Sequence, residues 1–221
     1  MKVKICGIRT VGEAKRVHEL GTDAIGVLVG FDESVAPNVI PKEKARQIVK
    51  CIHNLRDPVE TFLLTDKKDA ETNYLYSSYI GNSHIQLLGD IKTEDIIRLK
   101  KELPEVGIVK VIHVSGYDAV KFAEEYGACR AVDALLLDSR IGYEKRGGTG
   151  ITHDWTISRK IVKNSHKPVW LAGGLRTSNL RDAIVSVRPY GVDVETGVEN
   201  PDGSKNYDEI GRFIYIAKHW R

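Results

Sequence analysis

Hydrophobic positions along this chain change period in a repeating order. A short aliphatic or β-branched run is followed by a polar turn. A stretch whose apolar residues recur at helical spacing then follows. The strand-like runs lie at 3–6, 24–29, 59–64, 84–87, 107–114, 134–138, 169–172 and 191–195. The helix-like stretches lie near 11–20, 41–54, 69–79, 93–101, 117–126, 154–163, 178–187 and 207–219. Strands alternating with helices imply a parallel sheet with right-handed crossovers. Eight such units predict an α/β fold, the (β/α)8 TIM barrel, as one domain over residues 1–221. A doubly wound open sheet is the alternative. The regular arrival of the eighth unit favours the barrel, as does the lack of a dinucleotide fingerprint after the first strand.

Composition narrows the function classes. The chain has 221 residues, 42% hydrophobic and 29% charged, long enough for one substantial core. Its 33 basic and 30 acidic residues leave a net charge of +3, too mild to indicate nucleic acid and compatible with an anionic small molecule. No apolar stretch approaches the ~20 residues of a membrane helix. The start, MKVKICGIRT, lacks the apolar core of a signal peptide. No membrane association and a cytoplasmic location are therefore expected, with the chain a monomer or homodimer. Cys6, Cys51 and Cys129 match no zinc spacing, and three widely spaced cysteines do not suggest a disulfide framework. No metal site is expected.

A barrel directs attention to the carboxyl ends of its strands, where such enzymes place their chemistry. The segment 168-PVWLAGGL-175 runs from a strand into two glycines and then a helix; 191-GVDVETGVE-199 runs from a strand into Thr-Gly. Turns after the last two strands are where barrels commonly hold phosphate, through backbone N–H groups and a helix N-terminus. Gly173, Gly174, Thr196 and Gly197 are the candidate phosphate ligands; tight turning alone is the plainer explanation of either pair. Cys6 ends the first strand and Asp138 the sixth. A thiol of lowered pKa can serve as a base, and a carboxyl of raised pKa as an acid. Lys4 shares a strand face with Cys6, so it either lowers the thiol pKa or pairs with a carboxylate such as Asp193. The glycine-rich segment 142–155 could cover a substrate, and Thr152 or Asp154 could cap the following helix. His113 and the tryptophans read as interior or packing residues.

These segments, taken in order, resemble the phosphoribosylanthranilate isomerase family of tryptophan biosynthesis. KICGIRT at 4–10, LLLDS followed by GGTGITHDW, LAGGL at 171–175 and VDVETGVENPDGSKN at 192–206 carry the resemblance from end to end. It implies an Amadori rearrangement of an N-substituted phosphoribosylamine to an aminodeoxyribulose phosphate, needing no cofactor. Cys6 is the implied general base and Asp138 the general acid. Asn38, Arg9, Gln86 and Gly148 fall among the implied substrate contacts.

Three positions depart from the family pattern. Asn38 stands where an arginine is expected to meet the anthranilate carboxylate, and an amide lacks both charge and guanidinium fork. Leu88 replaces a histidine, and Glu195 replaces a small residue, often serine. A carboxylate there would repel phosphate unless it turned inward to a base such as Lys4. Arg9 or Arg140 could then supply the missing cation. These departures leave room for a divergent isomerase acting on another aldosylamine phosphate. An epimerase- or aldolase-like barrel, with Lys110 as a Schiff-base candidate, and a non-catalytic phosphometabolite sensor are the other readings.

Overall fold

The computed structural model describes residues 1–32, 36–139 and 153–220. Eight strands run through it: β1 (Lys2–Ile5), β2 (Ala24–Leu28), β3 (Glu60–Thr65), β4 (His84–Leu87), β5 (Gly107–His113), β6 (Ala134–Asp138), β7 (Val169–Leu171) and β8 (Gly191–Val194). They alternate with α1 (Val11–Glu19), α2 (Lys42–His53), α3 (Ala70–Ile80), α4 (Thr93–Glu102), α5 (Asp118–Ala128), α6 (Trp155–Asn164), α7 (Leu180–Val187) and α8 (Tyr207–Lys218). Each strand pairs in parallel with the next, and β8 pairs back onto β1, so the sheet closes as the sequence predicts. Closure removes both sheet edges and leaves every strand between an interior and a ring of helices. Among the described residues no helix is long and apolar enough to cross a membrane.

Local signals explain the boundaries. Side chains of Thr10, Asp69, Asp154 and Asn206 cap α1, α3, α6 and α8 by accepting from backbone N–H groups of the first turn. Asp154 thus fulfils the capping role; Thr152 lies outside the described residues. Two apolar clusters form. The larger fills the shell between strands and helices, with Val3, Ile5, Ile25, Leu63, Ile85 and Leu135 facing the helices. The smaller lies inside the barrel and contains Phe62, Val109, Leu136 and Trp170, with Cys6 among them.

Period-2 alternation sorts β1 and β8 into these two environments. Val3 and Ile5 face the helical shell, while Lys4 and Cys6 face inward. Lys4 lies opposite Asp193 and above the Phe62 ring, 5.0 Å from its centroid. Phe62 in turn stacks on His84 at 4.6 Å. An aromatic floor therefore supports a polar middle layer, and the strand ends above it form the mouth.

Candidate active site

The middle layer is a buried three-way contact. The Lys4 ammonium donates to Asp193 Oδ2 and to Gln86 Oε1, each at 2.9 Å. Burial works against this ammonium, but Asp193, with smaller help from Cys6 and Glu195, outweighs it and raises the Lys4 pKa. Of the two roles open to Lys4, pairing with Asp193 is the one the structure adopts. Gln86, expected among the substrate contacts, is buried and spends its carbonyl oxygen on Lys4.

Cys6 follows β1 directly, and its N–H donates to Val194 O at 2.8 Å. Only 2% of it is exposed. Burial pushes the thiol well above its ordinary value, and Asp193 and Glu195 add to that against the pull of Lys4 and Lys205. This corrects the idea that Lys4 leaves Cys6 a low-pKa thiol: the lysine acts in that direction and is outweighed. Asp138 closes β6, half-buried at the same mouth. Burial, reinforced by the charge of Asp193, raises its carboxyl to about 6 against a hydrogen bond from the Ser139 backbone. Asp138 thus holds its proton at a pH where ordinary carboxyls have lost theirs.

Glu195 directly follows β8, two residues after Asp193. It does not pair with Lys4, as the inward-turning alternative proposed. Its Oε1 accepts from Asn38 Nδ2 at 2.6 Å, and the same amide donates to Glu199 Oε1 at 3.0 Å. Lys205, buried, donates to Glu199 at 2.7 Å. Burial raises the Glu195 pKa, opposed by Lys205 and the Asn38 hydrogen bond. Asn38 therefore lies beside Glu195, with its amide engaged by two carboxylates. Glu199 and Lys205 were not legible as site residues. A small antiparallel bridge in the loop after β8 brings them together.

The two glycine turns come together. A Cβ on Gly197 would lie 1.9 Å from the carbonyl oxygen of Leu175, the residue after Gly174. Gly173 and Gly174 both adopt left-handed backbone, φ 80° and 66°. Asn179 Nδ2 donates to Gly174 O at 3.0 Å and holds that turn. Thr196 opens a short 3-10 turn and is exposed. The four candidate phosphate residues thus occupy adjoining loops with accessible backbone.

The remaining candidates separate. The Arg9 guanidinium donates to Gly203 O at 2.9 Å and lies 3.8 Å from Glu13. Lys110 points away from the barrel interior and donates to the carbonyls of Leu87, Gly89 and Val111, which removes the Schiff-base candidate from the mouth. Leu88 packs against the interior cluster. Arg140 and Gly148 lie outside the described residues. Ser139 Oγ and His153 Nδ1 share a hydrogen bond at 2.6 Å, and burial lowers the His153 pKa to about 4, keeping that ring neutral.

A family model described as N-(5'phosphoribosyl)anthranilate (PRA) isomerase matches residues 3–215. The N-(5'-phosphoribosyl)anthranilate isomerase 2 of Methanosarcina mazei is 37% identical over 220 residues, covering 99% of this chain and 95% of that protein. The N-(5'-phosphoribosyl)anthranilate isomerase of Aquifex aeolicus is 35% identical, covering 99% and 98%. Among solved structures, phosphoribosyl anthranilate isomerase from Thermotoga maritima has a TM-score of 0.83 at 30% identity, covering 99% of this chain and 98% of that one. A phosphoribosyl anthranilate isomerase in complex with reduced 1-(o-carboxyphenylamino)-1-deoxyribulose 5-phosphate has a TM-score of 0.80 at 28% identity, with the same coverage.

Proposed function

The chain belongs to the N-(5'-phosphoribosyl)anthranilate isomerase family, and from that premise we propose how its own residues carry the Amadori rearrangement of phosphoribosylanthranilate. The backbone N–H groups of Gly173, Gly174, Thr196 and Gly197 bind the substrate phosphate and fix the ribose over the mouth. Asp138, in its protonated form, gives its proton to the furanose ring oxygen. The C1–O bond breaks, and the nitrogen lone pair forms the C1 iminium. Cys6 Sγ then takes the proton from C2 as its own thiol proton passes to a neighbouring base, and the electron pair left behind becomes the C1–C2 double bond of the enolamine. Protonation at C1 and loss of the O2 proton give the ketose. Ring-oxygen protonation and C2 deprotonation are assigned to two strand-end residues, so the protein supplies an acid, a base and orientation.

The observation that carries this reading is the pairing of environments at one mouth. Asp138 is held as an acid near pH 6, and a thiol occupies the end of β1, three strands away round the barrel. Gln86 acts through Lys4, holding the ammonium under the site, and Asn38 orients Glu195. The test is turnover of phosphoribosylanthranilate by the parent chain, Cys6→Ser and Asp138→Asn. Each variant should lose roughly 10²–10⁴-fold in kcat. Parental rates in both would remove these two residues from the reaction.

A further inference from the structure

Cys6 is a poorly placed base on its own. It is almost fully buried, and two carboxylates, Asp193 and Glu195, disfavour its thiolate. The register of β1 and β8 supplies a second group. Lys4 is the direct partner of Asp193 and Ile5 of Val194, and the residues that follow these pairs, Cys6 and Glu195, both enter the mouth, near enough for the Glu195 charge to act on the thiol. Inward partners on these strands do meet, since Lys4 and Asp193 lie 2.9 Å apart. The Glu195 carboxylate lies close over β1: a Cβ on Gly7 would stand 2.7 Å from Glu195 Oε1. That oxygen is held by Asn38, and among the described residues Oε2 has no hydrogen bond. Glu195 is also partly exposed where Cys6 is closed.

We propose that Glu195 is a further catalytic residue, which takes the Cys6 thiol proton in the same event in which Cys6 Sγ takes the C2 proton. This rests on the isomerase reading and deepens its base step. The C2–H bond breaks and an S–H bond forms; the original S–H bond breaks and an O–H bond forms on Glu195. The C2 electron pair becomes the C1–C2 double bond and neutralises the iminium. No free thiolate is formed, so the basicity that matters is that of the carboxylate. Glu195 then returns its proton to C1. The O2 proton leaves to solvent as the ketone forms, and solvent reprotonates Asp138, so protons balance over the cycle.

The groups that interact with this carboxylate are Lys4 on β1 and Cys6 just after it, Asp138 on β6, Asp193 on β8, Asn38 from the loop before α2, and Glu199 and Lys205 from the loop before α8. Burial, Glu199 and Asp193 raise the Glu195 pKa, while Lys205 and Asn38 lower it. The net direction is upward, toward the range useful for a base near neutral pH.

The experiment compares the parent chain with Glu195→Gln, Glu195→Asp and Cys6→Ser. Turnover of phosphoribosylanthranilate is followed across pH, and thiolate absorbance is followed across pH with Cys6→Ser as the blank. Glu195→Gln should lose roughly 10²–10⁴-fold in kcat with KM little changed, and should lose the acidic limb of the kcat profile. Glu195→Asp should recover part of the rate. Removing the negative charge should also let the Cys6 thiol ionise at lower pH, so turnover slows while the thiolate becomes easier to form. A merely structural role would not move those two quantities in opposite directions. A parental kcat in Glu195→Gln overturns the relay alone, as does a slow variant whose thiol ionises no earlier than the parent's. Absence of turnover by the parent chain overturns the isomerase reading and the relay with it.

Discussion

Gly26 leaves open the space that the sulfur of Cys6 uses: a Cβ at position 26 would stand 2.7 Å from Cys6 Sγ. The same atom would meet Leu64 Cδ1 at 3.0 Å, so two side chains would have to shift. Gly26→Ala should therefore displace the thiol and overpack the interior, at a cost of about 1–3 kcal/mol in stability. In the isomerase assay it should lower kcat while inorganic phosphate binds as in the parent. A parental kcat would show that the thiol position does not matter.

Asp138 links activity to stability with a definite sign. Its folded pKa, about 6, lies above the ordinary carboxyl value of 3.8. Between those values the folded state binds more protons than the unfolded one. Its effect is neutral below the unfolded value, and stability is lost as pH rises through the folded value. Asp138→Asn should therefore melt higher than the parent at pH 7, with the difference shrinking toward pH 4. Turnover should fall in the same variant. In the parent, kcat for a step that needs protonated Asp138 should decline as pH rises past about 6. Thermal melts at the two pH values and a pH–rate profile check both halves.

The Lys4–Asp193 pair should be costly to break and less costly to remove. Lys4→Met leaves Asp193 buried with no counter-charge and Gln86 without its donor, for a loss of about 3–5 kcal/mol. Lys4→Met with Asp193→Leu removes both charges and should recover part of that loss. Urea denaturation of the two variants measures the difference. Equal destabilisation would mean that the charges do not depend on each other.

The turns proposed to hold phosphate respond to backbone strain. Gly174 sits at φ 66°, where a β-branched side chain is strongly disfavoured. Gly174→Val should distort the turn, with a strain on the order of 1–2 kcal/mol. Affinity for inorganic phosphate and for substrate should fall together, while far-UV circular dichroism stays that of the parent. Gly197→Ala, aimed at the Leu175 carbonyl, should weaken the same binding from the other loop. Unchanged phosphate affinity in both variants would move the phosphate elsewhere.

The eight strand–helix units were legible because each carries its own hydrophobic period and its own turn chemistry. Every strand and helix falls within about two residues of its expected bounds, the scatter usual at element ends. Strand parity also put Lys4 beside Cys6 on the inward face, and strand ends put Cys6 and Asp138 at one mouth. These are local properties, and closure of the barrel follows from them. Charge states and long-range partners were not legible. Whether Lys4 activates the thiol or neutralises Asp193 depends on β8 arriving 189 residues later beside β1. The joining of Asn38, Glu195, Glu199 and Lys205 depends on loops that meet only once the barrel is closed. The sign of the Cys6 and Asp138 shifts depends on burial and on which charges surround them, and neither exists along an extended chain. The sequence by itself determined the architecture and the strand-end positions of Asp138 and Cys6. Tertiary packing alone decided their protonation and joined Glu195 to Asn38 at the mouth, because electrostatic energy depends on distance and desolvation in three dimensions.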